Sequence, residues 1–108
     1  MDMQSHILLW EDQTERSLAR AKRGADRLER AYWRVYSILN RMNGPVDGPQ
    51  YATPEAWRAH LDAYARVRDR LAYRWDDLQV ARRQESEWMS ELQDIRAELA
   101  RIDELQEN

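Results

Sequence analysis

The chain has 108 residues, 43% of them hydrophobic and 34% charged, with five Trp, five Tyr, no Phe and no Cys. That length sets one small domain over 1–108, and the balance of apolar and charged residues excludes both a membrane span and an ordinary disordered tail. The missing Cys excludes thiol catalysis, iron–sulfur clusters, Cys-based zinc sites and a disulfide scaffold, and the net charge of −3 argues against nucleic-acid binding driven by bulk charge.

The first apolar run, Ile7–Trp10, is too short for the core of a secretory signal, so a cytoplasmic location and no membrane contact are expected. Ser5 is read as the cap of a helix over about residues 5–42. Thr14, Leu18, Ala21, Ala25, Leu28, Tyr32, Val35, Leu39 and Met42 recur at alternating four and three, the spacing of a heptad seam. Trp10, Ser17, Gly24, Ala31 and Ile38 widen that seam into a bundle-type face. The small residues Ala21, Gly24 and Ala25 predict close approach of a facing helix, or insertion of a bulky side chain such as Trp75.

Asn43-Gly44-Pro45-Val46-Asp47-Gly48-Pro49 holds two of the three Gly and two of the three Pro, and predicts a turn over 43–53. Thr53-Pro54-Glu55 then supplies an N-cap, a Pro in the first turn and an acid beside it, opening a second helix over about 54–106. Trp57, Tyr64, Leu71, Leu78, Glu85, Leu92 and Leu99 fall seven apart, and His60, Val67, Arg74, Ala81, Trp88, Ile95 and Ile102 interleave with them. The weak point is 84–87, where Glu85 sits on the seam and Ser86 has the chemistry of a cap.

These patterns predict an all-α fold: a long antiparallel helical hairpin with a C-terminal coiled-coil extension. The alternative is a three-helix bundle with a break near Ser86. In the hairpin the second helix is the longer, and its end from Leu92 onward is expected to lack an intrachain partner. Leu92, Ile95, Leu99 and Ile102 are therefore assigned to self-association as a homodimer.

The outer face of the first helix carries Arg16, Arg20, Arg23, Arg27, Arg30, Arg34 and Arg41 at the same four–three spacing. Like charges at i,i+4 oppose the helix by a few tenths of a kcal/mol each, so such a ridge points to an anionic partner. Trp33 lies off the seam between Arg30 and Arg34, where a bundle needs no large aromatic, with Tyr36 beside it. Arg27, Arg30, Trp33 and Arg34 are assigned to partner binding, the partner being an acidic protein surface, with nucleic-acid backbone as the alternative. Trp57, Trp75 and Trp88, on or beside the second seam, read as core.

Charge is unevenly placed. Residues 1–84 hold fifteen basic and twelve acidic groups, whereas residues 85–108 hold two and eight. The acidic end of one chain thus offers a counterpart to the Arg ridge of another. No catalytic, cofactor-binding or metal-binding residues are assigned: His6 and His60 are the only histidines, and no Glu-x-x-His or Gly-rich phosphate loop occurs. The pairs Asp12/Glu15, Asp26/Glu29 and Glu91/Asp94 have spacing suited to a divalent cation but point away from the seam and, in the first helix, sit among arginines. The expected function is that of a non-enzymatic adaptor, inhibitor or assembly factor, a structural or scaffolding subunit being the further alternative. The profile fits a small accessory protein of a phage or mobile element.

Overall fold

The computed structural model describes residues 2–42 and 53–107, with side chains to residue 106. Two α-helices make up the fold, α1 (Met3–Met42) and α2 (Pro54–Glu107), and no strand occurs among the described residues. They form the expected helical hairpin. The turn assigned to 43–53 lies outside the described residues except for Thr53.

Both helix starts are capped by side chains. Thr53 Oγ1 accepts the amide of Ala56 at 3.1 Å, and Thr53 O accepts the amide of Trp57 at 3.1 Å, as the Thr53-Pro54 signal requires. At α1 the cap is Asp2 and not Ser5: Asp2 Oδ1 accepts the Ser5 amide at 2.7 Å. A carboxylate at the chain's second residue satisfies one of the free amides of the first turn, so the helix begins two residues before Ser5. α2 runs unbroken through Gln84–Glu87.

The chain divides into two compact units, one of Met1–Asp26 with Val80–Asn108 and the other of Arg27–Gln79. In the first unit the core is Thr14 and Ala25 on α1 with Leu92 and Ile95 on α2. Arg96 reaches Glu15 at 2.8 Å and Glu11 at 3.4 Å, and Gln4 donates to Asp103 at 3.3 Å. Arg82 joins Asp26 at 3.1 Å to Glu85 at 2.7 Å, which explains how a carboxylate at a seam position is held without breaking α2. In the second unit Val35 and Leu78 are buried, and Tyr32 packs against Trp75 with ring centroids 5.4 Å apart.

The extra length of α2 falls at its other end from the one expected. Carried on at equal rise, the Tyr32–Trp75 register brings Met42 level with about residue 65, so α2 overhangs at its start. Its final turns pair with the first turns of α1. Leu92 and Ile95, assigned above to self-association, are 3% and 1% exposed within a single chain, and Leu99 and Ile102 are half-buried. The reason is hydrophobic: this register takes the apolar C-terminal stripe out of water, which the other alignment leaves wet.

Two further expectations are corrected. A Cβ built on Gly24 meets nothing within 4 Å, so Gly24 does not serve close helix packing, and Trp75 rests on Tyr32. Trp57, Trp75 and Trp88 are not core: they are 36%, 48% and 38% exposed.

Three outcomes follow from this packing. Gly24→Ala raises stability by about 1 kcal/mol, read as a higher midpoint in thermal unfolding, because the helix gains propensity and the methyl meets no neighbour. Ile95→Ala lowers it by about 2–5 kcal/mol, with a loss that does not depend on protein concentration, since the side chain is buried inside one chain. The Asp2 carboxyl is held below the usual aspartate range by the hydrogen bond from the Ser5 amide, then by the Ser5 side chain. Its cap is therefore fully formed above the ordinary aspartate pKa and lost as pH falls through the lowered value. In an NMR titration the Ser5 amide shift follows that lowered midpoint, and Asp2→Ala abolishes the step.

Candidate interaction surface

The Arg27–Gln79 unit presents the residues assigned to partner binding along one outward stretch of α1. Arg27, Arg30, Trp33 and Arg34 are all exposed, Trp33 by 53%. Arg30, Trp33 and Arg34 line an open depression of about 680 Å³ with Ser37, Ile38 and Arg41. Arg27 and Arg34 border a second one with Leu28, Ala31, Val35 and Arg74. Helical spacing brings these side chains together, since residues three and four apart share a face.

Trp33 is held in place although half of it is in solvent. Its ring stands edge-on to Tyr32 at 5.2 Å and to Tyr36 at 5.3 Å, and Tyr32 continues the cluster to Trp75. Edge-to-face geometry of this kind is worth roughly 0.5–1.5 kcal/mol per pair beyond area burial. Below it, the Ser37 hydroxyl donates to Trp33 O at 2.9 Å and Arg41 Nε donates to Ser37 O at 3.4 Å. The sequence marked Trp33 and Tyr36. It missed Trp75 as a member of the cluster, although Trp75 lies one position off the α2 seam, which is the signal for a side chain at the edge of a two-helix contact.

Several arginines are held in ion pairs. Arg16 pairs with Asp12 at 3.1 Å, Arg82 and Arg96 bridge α1 and α2, and Arg101 pairs with Glu98. Arg27, Arg30 and Arg34 have no ion pair among the described residues. They form a positive stripe whose hydrogen-bond donors face solvent.

The other unit carries the opposite charge on the outside of α2. Glu87, Trp88 and Glu91 line a depression of about 450 Å³ with Gln84. Glu87 and Asp94 are exposed, Glu91 is half-buried, and none of the three has an ion pair among the described residues. Of the acid pairs with cation-like spacing, Asp12, Glu15 and Asp26 each engage an Arg. Among the described residues no three His, Asp or Glu side chains come together as a metal site, and no helix is long and apolar enough to cross a membrane. His60, expected at a core or boundary position, is half-buried and stacks on Trp57 at 5.7 Å.

Comparison with protein-family models, curated proteins and solved structures finds no match to this chain.

Proposed function

We propose that the chain is a non-enzymatic helical interaction protein that binds another macromolecule through Arg27, Arg30, Trp33 and Arg34, the partner being an acidic protein surface. The observation that carries this reading is three exposed arginines without ion pairs around a half-exposed Trp braced by two tyrosines. Arg and Trp are the residue types that concentrate binding energy at interfaces, and a braced aromatic loses little side-chain freedom on docking. An acidic protein is favoured over nucleic acid because the chain's own charge is −3, with the excess of acid in its last 24 residues, which opposes a long polyanion that extends over that end.

The test is titration of the protein with a Glu-rich helical peptide and, separately, with duplex DNA. The peptide binds, Trp33→Ala weakens binding about 30-fold or more, and Arg30→Glu with Arg34→Glu abolishes it. Tighter binding to DNA, falling steeply with salt, replaces this reading with the nucleic-acid one. Binding to neither, or binding unchanged by these substitutions, overturns it.

A further inference from the structure

The Arg stripe and the acid stripe match in spacing when one is read backwards. On α1, Arg27, Arg30 and Arg34 stand three and then four residues apart. On α2, Glu87, Glu91 and Asp94 stand four and then three apart. Two antiparallel helices laid along these faces bring Arg34 opposite Glu87, Arg30 opposite Glu91 and Arg27 opposite Asp94, all in one register. The next step sets Arg23 opposite Glu98. The step after that sets Arg20 against Arg101 and ends the match. Each stripe also has a half-exposed Trp at its edge, Trp33 and Trp88.

We infer that the occupant of the Arg/Trp face is a second copy of this chain, docking the outer face of its α2 around Glu87, Glu91 and Asp94. The inference rests on the Arg/Trp face being a binding surface and names what it binds. Charge complementarity carries it. The six residues have no ion pairs among the described residues, so docking removes no existing pair. The matched spacing sets an antiparallel direction, and this is the register in which Arg27, Arg30 and Arg34 all face carboxylates; a shift by three, four or seven residues leaves at most two of the three so placed. Such pairs in solvent are individually weak and screened by salt, so the association is ionic-strength-dependent and rests on the row as a whole.

The experiment is sedimentation velocity on the full chain at about 0.05 M and about 0.5 M salt, with two charge-reversed variants. One is Arg27→Glu/Arg30→Glu/Arg34→Glu and the other Glu87→Arg/Glu91→Arg/Asp94→Arg. The wild-type chain self-associates at low salt, and at least tenfold more weakly at high salt. Each variant alone is monomeric, with unchanged helical circular dichroism, and an equimolar mixture of the two associates again. A wild-type monomer at low salt overturns the inference, as does a variant that associates like wild type or a mixture that stays monomeric. A second measurement does not depend on how the reversed variants fold. The chain has no Cys, so mixing Arg30→Cys chains with Glu91→Cys chains under oxidation yields the mixed disulfide dimer in excess over either homodimer. Equal yields of all three dimers count against the register. If the wild-type chain is monomeric and the Glu-rich peptide still binds its Arg face, this inference falls and the proposed function stands. If the peptide fails to bind a monomeric wild-type chain, both fall.

Discussion

Two helices share only one seam, and that limit decides what the rest of the chain has to do. The buried apolar side chains are few and matched small to large: Ala25 and Val35 on α1, and Leu78, Leu92 and Ile95 on α2, with Thr14 among them. Among the described residues no second layer covers side chains that stand a quarter-turn off the seam. The five Trp are 36–53% exposed. A third helix or a partner is what normally covers such residues in small all-α folds.

With so narrow a core, alignment along the helices depends on polar contacts at its margins. Arg96 forks onto Glu11 and Glu15, and Arg82 holds Asp26 and Glu85 together. Pairs of this kind, exposed at Arg96 and partly buried at Arg82, select the register more than they stabilise the fold, since surface pairs contribute only roughly 0–1 kcal/mol each. The selected register is also the one that buries Ile95. Both effects therefore oppose the same slip, in which Leu92 and Ile95 return to water and the bridges from Arg82 and Arg96 break. Agreement between packing and electrostatics is what lets a sequence with an interrupted seam at Glu85 keep a 54-residue helix.

Helix identity was legible because heptad spacing and the Thr53-Pro54-Glu55 start are local signals, and Thr53 caps α2 as that triplet requires. Where the helices align was not legible. It depends on which pairs of distant residues meet, and spacing within each helix is the same for every shift by a heptad. That ambiguity is why Leu92 and Ile95 read as an exposed zipper and are instead the most deeply covered apolar pair of α2. Gly24 was misread for a related reason. A glycine beside two alanines looks like a site of close approach, but the space beside it is set by what stands opposite, and nothing does within 4 Å. Asp2 was passed over as a cap because the apolar pattern begins later, at Ile7. The Arg27–Arg34 stripe was legible in full, since it lies on one helix face and needs no partner to define it.

That stripe is also where local physics and the fold disagree. Arg23/Arg27 and Arg30/Arg34 are like-charge pairs at i,i+4, each mildly unfavourable to α1. Some other arginines are offset by carboxylates: Asp12 beside Arg16, Glu98 beside Arg101, Asp26 and Glu85 around Arg82. Around Arg27, Arg30 and Arg34 no such offset occurs among the described residues, and a rigid, half-exposed Trp33 is set in their midst. Under the proposed function, the compensation for this repulsion comes from the partner, outside the fold. A surface that meets negative charge converts the same repulsion into binding, because neutralising the row relieves every like-charge pair along it at once.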